Sequence, residues 1–225
     1  MDYKVTEHFI SLSLNPATGR YLVPGNFFSY GIAGAMLMDL ALAGKTGIKD
    51  HKLTLTKDTS PTGIVPYDRM IRKIASSGRK KTVKKWLQLF NRRSPLLRRE
   101  MQKHLVAEGI LRTEKKKFIW IPYKLNYLRK AELKNELITR YRDIILHDKP
   151  PADHEIMMMG LLYACKMHKI ISGPGPERRQ IRKKLVAINN NDALSSLTGR
   201  SVIEMQEAIT FSVAGLAGMS SSPDL

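Results

Sequence analysis

The chain has 225 residues, 43% of them hydrophobic, which is enough for a sizeable core and excludes outright disorder. Its 38 Lys and Arg against 20 Asp and Glu give a net charge of +18, the balance of proteins that meet nucleic acid or an anionic membrane surface. Between Arg69 and Lys149 there are 24 bases and 7 acids, so nearly all the excess is regional, while the single cysteine, Cys165, excludes an internal disulfide framework and fits a reducing, cytoplasmic compartment.

Met1-Asp2-Tyr3-Lys4 lacks the basic and apolar regions of a signal peptide, and no segment reaches the roughly 20 apolar residues that span a bilayer. Thr6 to Leu14 reads equally as a short helix or a strand, and Asn15-Pro16-Ala17-Thr18-Gly19 as a turn. Phe27 to Leu42 is apolar nearly all round apart from Asp39, which predicts a buried central helix with Gly44 as its C′ residue. A loop over Asp58 to Gly63 precedes a short helix with Tyr67, Met70, Ile71 and Ile74 on one face. The next helix turns Val83, Trp86, Leu87 and Phe90 inward and Lys84-Lys85 outward. Ser94 as N-cap and Pro95 at the first helical position open another helix, whose inner face of Leu97, Met101 and Leu105 runs up to Gly109.

Ile110 to Pro122 predicts a β-hairpin with a polar tip at Thr113 to Lys116, closed by Pro122, with Phe118 and Trp120 on one face and Ile119 and Ile121 on the other. Leu133, Leu137, Tyr141 and Ile144 mark a long helix broken by Pro150-Pro151. Asp153 then caps an apolar helix from Ile156 to about Ile171. Beyond the Gly173-Pro174-Gly175-Pro176 linker come a basic helix from Arg178 to about Ile188 and an apolar one from Val202 to Gly215. The expectation is a mostly α, single helical domain over residues 1–218, with buried central helices, surrounding amphipathic helices and one protruding hairpin, and a disordered tail over 219–225.

Catalytic motifs are absent from the sequence. Leu42-Ala43-Gly44-Lys45-Thr46 closes a helix rather than opening one, so it reads as a C-cap followed by a solvated lysine, not as a phosphate loop. No Gly-x-Ser-x-Gly or His-Glu-x-x-His string occurs, the six histidines are scattered, and Met157, Met158 and Met159 circle a helix as core packing does. The chain is therefore expected to be non-enzymatic, with no metal and no cofactor. The basic region supports two readings: electrostatic attachment to anionic lipid aided by an apolar hairpin, or a winged-helix DNA binder in which Ser94 to Gly109 is the recognition helix and the hairpin the wing.

Three strings, Gly31-Ile32-Ala33-Gly34-Ala35-Met36-Leu37-Met38-Asp39-Leu40-Ala41-Leu42, Ser60-Pro61-Thr62-Gly63 and Lys103-His104-Leu105-Val106-Ala107-Glu108-Gly109-Ile110-Leu111-Arg112-Thr113-Glu114-Lys115, resemble in order and spacing the Golgi phosphoprotein 3 family. The resemblance runs from about Thr6 to Gly215 and implies a mostly helical single domain, peripheral attachment to a membrane, phosphatidylinositol 4-phosphate as lipid ligand and client membrane proteins; a homo-oligomer formed through the hairpin is a further expectation, compatible with that reading and with a cytoplasmic location. In the family a tryptophan and several arginines surround the phosphate; here the tryptophan falls at Pro24 and two arginines at Ala33 and Pro95, leaving Arg98 matched. Arg92, Arg93 and Arg99 are the neighbours expected to complete a headgroup site, and Lys115, Lys116, Lys117, Phe118 and Trp120 the hairpin residues expected to meet membrane or a second copy.

Overall fold

A helix without a polar side has to be covered on all sides, and α2 (Gly25–Leu42) is: every residue from Tyr30 to Leu40 is buried. The computed structural model describes residues 4–58, 60–189 and 200–219, and these form ten helices and two antiparallel two-stranded hairpins. Around α2 pack α1 (Lys4–Ser13), α4 (Val83–Asn91), α5 (Ser94–Ala107), α7 (Asp153–Ala164) and α10 (Arg200–Met219). The remaining helices are α3 (Val65–Ala75), α6 (Glu132–His147), α8 (His168–Ile171) and α9 (Pro176–Asn189). The hairpins are β1 (Thr46–Lys49) with β2 (Lys52–Leu55), and β3 (Leu111–Phe118) with β4 (Ile121–Leu128).

The mostly α, single-domain architecture and the inward faces of α2 to α6 agree with the sequence pattern, and Gly44 takes the expected left-handed C′ conformation (φ 68°). The structure corrects several details. Thr6 to Leu14 resolves as helix α1. Arg93, not Ser94, is the N-cap of α5, and Ala152, not Asp153, that of α7. The apolar stretch expected to continue to Ile171 breaks at Lys166 (φ 55°), so α8 is separate. The β1–β2 hairpin was not expected: its turn residues Asp50 and His51 both have positive φ, as a type I′ turn requires. Thr59 and the tail from residue 220 onward lie outside the described residues; Met219 ends α10.

Both ends of α1 are held by buried charges from other helices. At its start the Asp39 carboxylate of α2 accepts from the Val5 and Thr6 amides (both 3.0 Å), the Thr6 hydroxyl (2.5 Å) and the Tyr67 hydroxyl of α3 (2.6 Å). At its end the Lys134 ammonium of α6 donates to the carbonyls of Leu12 (2.8 Å) and Leu14. Acid sits at the helix N-terminus and base at the C-terminus, which satisfies the free amides and carbonyls and complements the dipole. Burial pushes Asp39 up to about 6 and Lys134 down to about 8.

Lys45, expected to be solvated, is 2% exposed: its ammonium donates to Asp58 and to the Ser60 hydroxyl, both at 2.7 Å. This pins the loop after β2 to the end of α2 and holds the Asp58 carboxyl well below its usual range. The helices meet closely where side chains are missing. A Cβ on Gly31 would overlap the Phe9 ring and lie 2.8 Å from Cys165 Sγ. Gly31→Ala should therefore lower unfolding stability by about 1–3 kcal/mol, the usual cost of overpacking. Gly47→Ala in β1, where a Cβ meets open space, should stay within about 0.5 kcal/mol of the parent. Urea midpoints of the two variants check this, and equal shifts would mean that the α1–α2 contact is looser than its geometry.

Candidate functional site

Basic residues in the Arg69–Lys149 region divide into two groups. Those within α6 and just after it are engaged: Lys134 is buried, Arg140 clasps Glu155 through two nitrogens (2.7 and 2.8 Å), Arg142 pairs with Glu177 (2.7 Å) and Lys149 with Asp143 (2.6 Å). On α3 to β4 most are exposed and have no acidic partner among the described residues, with Arg69 (on Glu100, 2.6 Å), Arg112 and Lys116 the ion-paired exceptions. The free charge therefore ends near Lys130 and belongs to the α3–α4–α5 side and the hairpin.

Arg92 and Arg93 form the exposed turn between α4 and α5, and Arg98 and Arg99 stand exposed on the first turns of α5. Arg98 and Arg99, with Pro95, Leu96 and Gln102, line an open depression of about 460 Å³; Arg92 and Arg93 lie beside it without lining it. Gln102 donates to the Tyr21 hydroxyl (2.5 Å), and Tyr21 packs on Phe28 at 4.0 Å between ring centres, which anchors the depression to the α1–α2 connection. Burial pushes the Tyr21 phenol up to about 12, opposed by the Gln102 bond and by the nearby Arg98 charge. Of the three positions at which the resemblance sets the family's pocket residues, Pro95 lines this depression and Pro24 is exposed at the start of α2, but Ala33 is fully buried, so that position presents nothing to a ligand at the surface. Two guanidinium groups over the N-terminal turns of a helix can bind an anion, with the dipole assisting.

The β3–β4 hairpin is longer than the sequence pattern suggested and its tip lies elsewhere. Thr113 to Lys116 is strand, Pro122 pairs with Lys117 inside the ladder, and the two turn residues are Ile119 and Trp120, so the expected alternation of Trp120 and Ile119 across strand faces does not occur. The expectation for the Phe118 side chain lies outside the described side chains. At the base Leu111, Tyr127 and Leu128 are buried in the core, and burial falls steadily along β4 toward the tip. Seven residue steps of strand carry the tip roughly 20–25 Å outward. There Ile119, Trp120 and Ile121 are 72%, 89% and 69% exposed.

Lys115 faces Lys124 across the ladder, with Lys117 beside them, a like-charge pairing that is unfavourable in isolation. Lys116, one of the hairpin residues expected to meet membrane or a second copy, pairs with Glu114 (2.8 Å), which Arg112 also holds; these two bases keep the Glu114 carboxyl below its usual range. The tip residue Ile119 has φ 56°, a conformation that suits glycine and is unfavourable for a β-branched side chain. Isoleucine stands there against turn chemistry, in a place where solvent surrounds it. Among the described residues no helix is long and apolar enough to cross a membrane, and no group of three or more His, Cys, Asp or Glu side chains is placed to hold a metal ion. A family model described as Golgi phosphoprotein 3 (GPP34) matches residues 6–209.

Proposed function

From the premise that the chain belongs to the Golgi phosphoprotein 3 (GPP34) family, we propose that it is a non-enzymatic peripheral membrane protein that docks on anionic phospholipid. The observation that carries this reading is the hairpin tip: three adjacent large apolar side chains exposed at the end of a cationic arm. Apolar side chains that enter the acyl boundary while Lys115, Lys117 and Lys124 face headgroups account for both the unfavourable turn residue and the unpaired lysines. Arg98 and Arg99 supply the bidentate donors for a phosphorylated headgroup, and phosphatidylinositol 4-phosphate is the ligand the family resemblance suggests. Client membrane proteins and a homo-oligomer through the hairpin belong to the same reading.

Flotation with vesicles of graded composition tests it. Anionic vesicles should bind at least tenfold more tightly than zwitterionic ones, with the advantage shrinking as salt rises because screening acts within about 8 Å at physiological ionic strength. Equal affinity for the two would overturn the reading. A high-affinity, sequence-selective duplex complex in a parallel shift assay would favour the winged-helix reading instead. Arg98→Ala should weaken binding to phosphoinositide vesicles by about tenfold, the loss of one charge-assisted bond of 1.5–3 kcal/mol partly offset by Arg99. Lys183→Ala, an exposed lysine on α9, should change it less than twofold. Equal small losses would mean diffuse attraction without a headgroup site.

A further inference from the structure

The α3–α4 connection and the β1–β2 hairpin enclose a second depression, of about 310 Å³, in which exposed Lys49, Arg79 and Lys80 surround buried Leu53, Ile74 and Trp86. Among the described residues lining it none is acidic, and the three cations have no partner among the described residues. Its backbone is fixed. The Leu53 amide donates to the Lys81 carbonyl (2.9 Å), and the Lys81 ammonium donates to the Ser77 hydroxyl and the Arg79 carbonyl while lying 5.0 Å from the centre of the Trp86 ring. Arg79 and Lys80 thus project from a loop that is already ordered. The Trp86 Nε1–H is buried and has no acceptor among the described residues. That donor is closed off from solvent, so what Trp86 offers a ligand in the depression is the part of its ring that lines it.

We propose that this depression is a binding site for a phosphate-bearing anion, separate from the one on α5. Arg79 supplies paired donors for phosphate oxygens, Lys49 and Lys80 balance the remaining charge, and Leu53, Ile74 and the Trp86 ring line the side that meets the non-phosphate part of the ligand. Three like charges gathered without a carboxylate repel one another, and an anion that joins them relieves that repulsion. The phosphate belongs either to a soluble molecule or to a lipid headgroup, and the two sources are separable.

The chain has two tryptophans, so Trp120→Phe leaves Trp86 as the sole indole reporter and keeps the measurement independent of membranes. In this background, titration with inorganic phosphate and with a soluble inositol phosphate headgroup should change Trp86 emission saturably for at least one of the two. Arg79→Ala/Lys80→Ala, both at exposed positions, should weaken that binding at least tenfold with the thermal melt unchanged, and Arg98→Ala should leave it intact. No saturable change with either probe, or the same titration in the double variant, overturns the site without bearing on membrane attachment. Once binding is seen, flotation of the double variant with its native hairpin assigns the source: lost vesicle affinity means a lipid headgroup, retained affinity a soluble phosphate.

Discussion

Asp39→Ala should cost about 3–5 kcal/mol of unfolding stability, a large share of the 5–15 kcal/mol that holds a typical domain together. Four donors converge on that carboxylate, and two of them, the Val5 and Thr6 amides, belong to the first turn of α1 and have no other route to an acceptor. Asp39→Asn should cost less. The Thr6 and Tyr67 hydroxyls can rotate and accept from the new amide, whereas the Thr6 backbone amide cannot. The pH dependence separates the two further. Because burial raises Asp39 to about 6 in the folded chain, above its ordinary value of 3.8, the native state binds the proton more tightly than the unfolded one. The ionised group therefore lowers stability at neutral pH, and that cost shrinks as pH falls through 6 and disappears near 4. Urea denaturation of parent and Asp39→Asn at pH 7.5, 6 and 5 should show the parent gaining on the variant as pH falls. A constant difference would mean that the donor shell outweighs desolvation and keeps the carboxylate ionised throughout.

Most of the helical framework is legible in the sequence because helix burial is periodic, and the inward positions Trp86, Leu97, Met101 and Tyr141 follow from spacing alone. The long-range polar contacts are not. Nothing near Lys134 in sequence indicates that it reaches the carbonyls at the end of α1, 120 residues away, nor that Lys45 is buried on Asp58 and Ser60. A lone aspartate inside the apolar run from Phe27 to Leu42 was the one available signal for Asp39, since a buried carboxylate has to find donors. The hairpin is legible in the sequence but its tip is not, because turns are inferred from polar residues and this one turns on Ile119-Trp120. Arg98 and Arg99 line one depression although successive helix positions diverge by about 100°, which spacing alone does not announce, and the Arg79, Lys80 and Lys49 grouping depends on β1–β2, a hairpin too short for alternation to register.

Trp120→Ala should weaken binding to anionic vesicles by about 30- to 150-fold, since transfer of a nearly fully exposed indole of about 150–250 Å² into the acyl boundary contributes roughly 2–3 kcal/mol when about half of it is covered. The fold should be indifferent, because the anchoring residues of the hairpin, Leu111, Tyr127 and Leu128, lie at the opposite end. Ile119→Gly makes the sharper case. Glycine takes φ 56° without steric cost, so the variant should melt at the parent temperature or slightly above, while vesicle affinity falls about tenfold with the loss of the apolar side chain. Binding that weakens as the turn relaxes can only come from a residue retained for what it meets outside the molecule. Sedimentation of the same variants without lipid tells the two outside partners apart: a parent that self-associates and loses this in Trp120→Ala, with vesicle affinity unchanged, would make the tip a contact between copies and remove it from the membrane surface. A destabilised Ile119→Gly would instead show that the Ile119 side chain supports the hairpin itself, against its 72% exposure.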